Sequence, residues 1–187
     1  FKNVWFSYKQ SDELPNDDEW ILKDISFKVK AGETLALVGA TGAGKSSTIN
    51  ILNRFYEISK GQVSIDGVDI SDFELSYLRS QIATVLQDVF LFADSIYNNI
   101  TLFNTSIQRE EVYEAAKKIG IHDFLMSLPN GYDYDVKERG VMLSSGQRQL
   151  IAFLRAYISN PSILILDEAT SSIDSHSEEL IQKATQT

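Results

Sequence analysis

The nine residues GATGAGKSS, Gly39 to Ser47, constrain this chain more than any other stretch. They follow TLALVG (residues 34–39), a short apolar run with β character. They lead into KSSTINILNRF, where Ile49, Leu52 and Phe55 recur at helical spacing. A strand, a glycine-rich turn and a helix in that order are the setting that G-x-x-x-x-G-K-[ST] requires to act as a phosphate loop. Glycines let the backbone curl until successive N–H groups point inward at an anion, and the helix N-terminus adds its dipole. Lys45 brings a mobile positive charge suited to β and γ phosphates, and the Ser46 hydroxyl suits Mg²⁺. The alternative is a glycine-rich structural turn, and the strand–turn–helix setting argues against it.

A phosphoryl-transfer site also needs a carboxylate at the end of an apolar strand. ILILDE supplies one: Asp167 ends the strand, where it can hold Mg²⁺ through water, and Glu168 follows directly. A carboxylate beside a γ-phosphate can align and polarise an attacking water. A strand-end Asp-Glu pair is also a common structural feature, and its pairing with the Lys45 loop favours the functional reading. A second anion-holding feature lies between the two. In LSSGQ, Ser144 with Gln147 three residues on reads as a capping box at the start of a helix. Taken alone, capping is a sufficient explanation for it.

The rest of the chain organises around these motifs. Residues 3 to 8 alternate like a strand, and SDELPNDDE (11–19) reads as a solvated hairpin loop before the strand-like WILKDISFKV. GQVSIDG and QIATVLQ predict further strands. From about residue 75 to 128 the pattern turns mostly helical. QREEVYEAAKKIG is the clearest case, with acids at its start and lysines before a glycine stop. Residues 146 to 158 predict another helix ending at Asn160-Pro161, and SEELIQKATQT a last one. SILILDEAT is expected to be a strand buried on both faces of a parallel sheet.

Composition removes several function classes. A net charge of −9 over 187 residues speaks against nucleic acid as a partner, since such domains present a basic face. The absence of cysteine removes disulfide scaffolds, thiolate metal sites and thiol nucleophiles. No run of 18 apolar residues suggests a membrane span, and no signal peptide is visible. The chain opens on FKNVWFSY, already strand-like, and stops at QKATQT inside a predicted helix, so a soluble piece of a longer protein is expected.

Taken in order, GATGAGKSS, LQDVFLF with Gln87, ERGVMLSSGQRQ and ILILDEATSSID resemble the nucleotide-binding domain of ABC transporters over nearly the whole chain. Only residues 11 to 19 lack a matching pattern. A Walker A loop is shared by many ATPases, whereas LSSGQ some fifteen residues before the strand of Asp167 and Glu168 is specific to this family. The resemblance implies an α/β fold, a P-loop NTPase core with an N-terminal antiparallel β subdomain and an inserted α-helical subdomain, truncated at both ends. Approximate bounds are 1–86 and 159–187 for the core with its β subdomain, and 87–158 for the helical subdomain.

The resemblance also assigns roles. Gly39, Thr41, Gly42, Ala43, Gly44, Lys45, Ser46 and Ser47 match the phosphate loop, and Tyr8 the aromatic that stacks on adenine, its alternative being a plain strand tyrosine. Gln87 matches the Mg²⁺- and water-sensing glutamine, in a segment that also touches the membrane part. Asp167 and Glu168 match the Walker B aspartate and the catalytic glutamate, with Lys45 and Gln87 assisting catalysis and Ser46, Gln87 and Asp167 holding Mg²⁺. Ser144, Ser145, Gly146 and Gln147 match the signature that completes the ATP site of a partner copy, and Asp174 the loop that speaks across that dimer. VKERG (Val136 to Gly140) resembles the segment that marks exporters rather than importers.

The implied function is ATP binding and hydrolysis with Mg²⁺, at the cytoplasmic face of a membrane. Head-to-tail closure with a second nucleotide-binding domain, identical or not, would drive a transmembrane domain of the same or another chain. Two alternatives stay open: an ABC-type ATPase without transport, or a nucleotide-binding regulatory half of a heterodimer. Two departures bear on these. Ser145 stands where the commonest family signature has glycine, adding a Cβ and a hydroxyl near the phosphate. The family's switch histidine lies on a strand well after the Asp174 loop, beyond the last residue here, so weak hydrolysis is expected of the fragment. His176 and His122 read as surface residues rather than substitutes.

Overall fold

The computed structural model describes residues 1–9, 15–86, 88–137, 140 and 142–167. Within them the chain forms two compact units, residues 1–80 and 81–187. The first is built on the alternation seen in the sequence. Strand β1 (Lys2–Phe6) buries Val4 and Phe6, with Asn3 exposed and Trp5 half-buried on the alternate positions, as a period of two requires when one face meets a core. β2 (Leu22–Ile25) pairs antiparallel on one side, with Phe6 opposite Leu22, and β3 (Lys60–Gln62) on the other, with Trp5 opposite Lys60. The ammonium of Lys60 lies 5.7 Å from the Trp5 ring and 5.5 Å from the Trp20 ring, a cation–π contact that ties this sheet edge to the loop before β2.

Helix α1 (Lys45–Leu52) follows the glycine-rich turn and buries Ser47, Thr48 and Ile51. β4 (Ser64–Ile65) and β5 (Val68–Asp69) form a hairpin whose two-residue turn is Asp66-Gly67. Both turn residues have positive φ, 52° and 84°, the type I′ geometry that Asp-Gly favours. α2 (Leu75–Ser80) follows, held to the end of α1 by Arg79, which donates to the carbonyls of Asn53 and Arg54 at 3.1 Å each.

The second unit carries the parallel pair. β6 (Ile82–Val85) and β7 (Ile163–Leu166) run in register from Ile82 opposite Ile163 to Val85 opposite Leu166. Between them the chain makes α3 (Ile96–Thr101), α4 (Arg109–Lys118), α5 (His122–Ser127) and α6 (Ser145–Ile158). Leu91, Ile96, Ile100, Leu125, Ile151 and Leu154 are fully buried in one continuous cluster. Each such side chain contributes about 1.5–3 kcal/mol relative to exposure. Among the described residues no helix is long and apolar enough to cross a membrane.

Three expectations are corrected. Residues 34–39 form no strand: Leu35, Leu37 and Val38 are exposed, and the three-stranded sheet of the first unit is made of β2, β1 and β3 alone. An apolar run becomes a strand only when neighbours pair with it, and none of the described residues does so here. Phe55, three residues past the end of α1, is 56% exposed, so the helical spacing runs beyond the helix itself. β7 is not buried on both faces: Leu164 and Leu166 remain exposed while Ile163 and Ile165 are half-buried. In a two-stranded sheet, alternate side chains point to a face that needs its own cover. The predicted helix at 177–187 and residues 11–14 of the loop at 11–19 lie outside the described residues.

Candidate functional site

The phosphate-loop residues lie together in the first unit, where local backbone geometry explains the sequence. Gly42 and Gly44 take φ of +83° and +88°, a left-handed conformation costly for residues with a Cβ. Gly44 is the N-cap of α1 and has no side chain to cap it. The first N–H groups of a helix have no partner inside it, so this end presents donors and a positive dipole to an anion. A Cβ on Gly44 would lie 2.5 Å from Leu22 Cδ2, and one on Gly39 would lie 2.9 Å from Ala43 Cβ. The loop therefore needs glycine at 44 for packing as well as for conformation.

Lys45 folds back over the loop, its Nζ donating to the carbonyl of Gly39 at 2.7 Å and of Ala40 at 3.2 Å. That holds a cation at the mouth of the curl, where an incoming phosphate oxygen can exchange with the carbonyls. Ser46 is exposed on the first turn of α1. Ser47 is buried, and its Oγ lies 2.9 Å from the hydroxyl of Tyr8. Tyr8 stands edge-on to Phe6 at 4.8 Å and to Tyr56 at 4.9 Å, with its own ring 45% exposed. The fold thus brings the predicted aromatic to the predicted loop across a large sequence separation. Tyr56 is a further member of this aromatic group that the sequence did not single out. Its signal was Phe55-Tyr56, a pair of aromatics just past the phosphate-loop helix.

In the second unit, Asp167 sits where β7 ends, its N–H donating to Val85 O at 2.9 Å, which leaves the carboxylate half-exposed at the strand terminus. Ser144 and Gln147 form the predicted capping box. Gln147 N donates to Ser144 Oγ at 3.2 Å, and Ser144 N donates to Gln147 Oε1 at 2.9 Å. Ser144 Oγ thus uses a lone pair on its own helix, and a hydroxyl in that role can still donate its proton. Ser145 is the first helical residue of α6, and its φ is not positive, so this backbone does not demand glycine there. Gly146 is buried. Gln87, Glu168, Asp174 and His176 lie outside the described residues.

His122 is corrected from a surface residue to a half-buried one: its Nδ1 lies 2.9 Å from the hydroxyl of Tyr132, which is 2% exposed. Burial pushes the Tyr132 hydroxyl well above the usual tyrosine range, so it stays protonated as a partner for the imidazole. No group of three or more His, Cys, Asp or Glu side chains suited to a metal occurs among the described residues. Ser46 in the first unit and Asp167 in the second each present an oxygen donor, the type that suits a hard cation such as Mg²⁺.

A family model described as ABC transporter matches residues 22–171. A Bacillus subtilis (strain 168) protein named "Putative multidrug export ATP-binding/permease protein YgaD" is 48% identical over 184 residues, 98% of this chain and 31% of its own. A Staphylococcus aureus (strain NCTC 8325 / PS 47) protein of the same descriptive name is 52% identical over 170 residues, 90% of this chain and 29% of its own. Among solved structures, a bacterial Atm1-family ABC exporter with ATP bound superimposes with a TM-score of 0.89 at 41% identity, covering 100% of this chain and 31% of its own. The chain therefore spans under a third of the length of these relatives. With the family model covering the phosphate loop, the capped α6 and the end of β7, the chain belongs to the ABC transporter family.

Proposed function

We propose that this chain is the ATP-binding and ATP-hydrolysing part of an ABC exporter, working at the cytoplasmic face of a membrane and driving a transmembrane domain. The supporting observation is the loop itself, with an uncapped helix N-terminus at Gly44, glycines in left-handed backbone, and a lysine already aimed across the curl. In this reading the Gly39–Ser47 loop holds the phosphates, and the Tyr8 ring, with Tyr56 at its edge, takes the adenine. Ser46, Asp167 and Gln87 hold Mg²⁺, which would neutralise charge developing between the β and γ phosphates. Glu168 orients water for in-line attack, and its carboxylate takes up the proton. Residues 87–158 form the helical subdomain, with the Gln87 segment facing the membrane part. Two copies, identical or not, close head to tail, so that Ser144 to Gln147 of one reaches the nucleotide held by the other, with Asp174 at the contact.

A regulatory, non-hydrolysing half of a heterodimer is the reading that Ser145 favours. The helical backbone at Ser145 does not demand glycine, and the presence of Glu168 argues for hydrolysis instead. The test is Glu168→Gln in the full-length protein. The variant should accumulate an ATP-bound dimer and lose turnover, and undiminished turnover would remove Glu168 from its role.

A further inference from the structure

Asn99 and Arg155 meet in the core of the second unit, 56 residues apart in sequence, and neither belongs to a nucleotide motif. Asn99, on α3, is 0% exposed. Its Oδ1 accepts from Phe92 N at 2.8 Å while its Nδ2 donates to Phe92 O at 3.0 Å, so one amide clamps both backbone groups of a residue outside any helix or strand. Nδ2 also donates to Ser95 O at 3.0 Å. Arg155, on α6, completes the hub: Nε donates to Asn99 O at 2.7 Å, Nη1 to Phe90 O at 3.3 Å, and Nη2 to Asn99 Oδ1 at 3.4 Å.

A half-buried guanidinium held by carbonyls and an amide, with no carboxylate among the partners named, is a costly way to tie a loop to a helix. Burial accordingly pulls its proton affinity below the usual arginine range. A neutral residue would pack more cheaply. What the planar fork adds is several donors in fixed directions, so that Phe90, Phe92 and Asn99 are referred to α6 as one body. Phe90 and Phe92 are 57% and 42% exposed and stand edge to face at 5.2 Å. They lie just past Gln87, in the segment that the proposed function turns toward the membrane part. At the other end of the same helix, Ser144 caps α6 eleven residues before Arg155, roughly 16 Å at the helical rise.

We propose that Asn99 and Arg155 are positioning residues that lock the Phe90–Phe92 segment to α6, so that displacement of those aromatics is delivered to the Ser144–Gln147 cap as movement of a rigid helix. This rests on the proposed function, which assigns those two ends their partners. The test uses the full-length protein in liposomes, with Asn99→Ala, Arg155→Met, Arg155→Lys and the Asn99→Ala/Arg155→Met double variant. ATP turnover is measured alongside hydrogen exchange over residues 88–95 and the thermal midpoint. Each single variant should speed exchange over 88–95 at least tenfold and lower kcat for ATP about tenfold, with KM within twofold. The double variant should lose no more than the worse single one. Arg155→Lys should recover less than a third of kcat, because an ammonium does not reproduce the fork. Loss of kcat, KM and thermal midpoint together would mean a merely structural pair and overturn the proposal. Additive losses, unchanged kcat or full recovery by lysine would overturn it too. A wild-type protein without ATP turnover would instead bring down the proposed function, whereas wild-type turnover with unaffected variants brings down this inference alone.

Discussion

The hydroxyl of Tyr8 lies 2.9 Å from Ser47 Oγ across 39 residues of sequence, so the segment that leaves β1 and the phosphate-loop helix are joined at the site itself. A hydrogen bond between two partly buried hydroxyls is worth about 1 kcal/mol net, or roughly fivefold in an equilibrium constant. Tyr8→Phe and Ser47→Ala should each weaken ATP binding by up to about that factor, and the double variant by no more than either. Tyr8→Ala also removes the ring and should cost at least tenfold, in line with about 1–3 kcal/mol for base stacking on an aromatic. Titration with a fluorescent ATP analogue separates these. Equal affinity for wild type and Tyr8→Ala would leave Tyr8 with a packing role only.

The capping box gives a second prediction, because Ser144 serves its own helix as well as any outside anion. Ser144→Ala should destabilise the protein by about 1 kcal/mol, the usual cost of losing a side-chain cap. Ser144→Asp should restore that stability, since aspartate caps as well as serine and suits the helix dipole. Turnover should behave oppositely: the added carboxylate faces a phosphate, so Ser144→Asp should lose more activity than Ser144→Ala. If both variants track stability alone, the cap has no role toward nucleotide. Ser145→Gly, at a helical backbone position, should change stability by less than about 1 kcal/mol, the helix-interior cost of glycine.

What the sequence made legible was mostly local chemistry. α4 begins with Glu110 and Glu111 in its first turn, ends with Lys117 and Lys118, and gives way to Gly120 at φ +78°. Every one of those features is readable from neighbours in the chain. The Ser144–Gln147 box was readable for the same reason. Strands β1, β2, β6 and β7 fall where the sequence put them, but pairing and burial depend on partners: residues 34–39 look like a strand, and Leu164 and Leu166 look buried, until the pairing is known. The burial of His122 depends on Tyr132, ten residues on. The Asn99–Arg155 hub had only a faint trace, a lone arginine in the otherwise uncharged LIAFLRAYI stretch of α6.

Arg109 and Asp133 carry a pH prediction. The guanidinium donates from both terminal nitrogens to both carboxylate oxygens and stacks 4.6 Å from the Tyr97 ring. Hydrogen bonding to Arg109 holds the Asp133 carboxyl below the usual aspartate range. A depressed carboxylate stabilises the fold at pH above its unfolded value, about 4, and the effect is lost as pH falls through the lower folded value. Both side chains are substantially exposed, so the pair is worth about 0.2–1 kcal/mol. Asp133→Asn should therefore unfold at lower urea than wild type at pH 7, and the gap should close below about pH 4. A gap that persists at low pH would assign the loss to packing rather than charge.

Gly42 and Gly44 separate conformation from packing within one loop. Both have positive φ, +83° and +88°, so alanine at either position takes on about 1–2 kcal/mol of left-handed strain. They differ in what the new methyl would meet. At Gly42 nothing lies within 4 Å, whereas at Gly44 the methyl would lie 2.5 Å from Leu22 Cδ2 and 3.3 Å from the Ile21 carbonyl oxygen. Gly44→Ala must therefore displace the Leu22 side chain and crowd the Ile21 carbonyl, adding overpacking of about 1–3 kcal/mol. Urea unfolding should show Gly44→Ala destabilised more than Gly42→Ala by that margin. Nucleotide binding should not follow the same order. The Gly42 methyl points into open space on the curl of the loop, which the proposed function assigns to phosphate. Gly42→Ala should then lose ATP affinity out of proportion to its modest loss of stability. If instead Gly42→Ala binds ATP as tightly as wild type, phosphate does not approach the backbone at Gly42, and the assignment of that residue to the cradle fails.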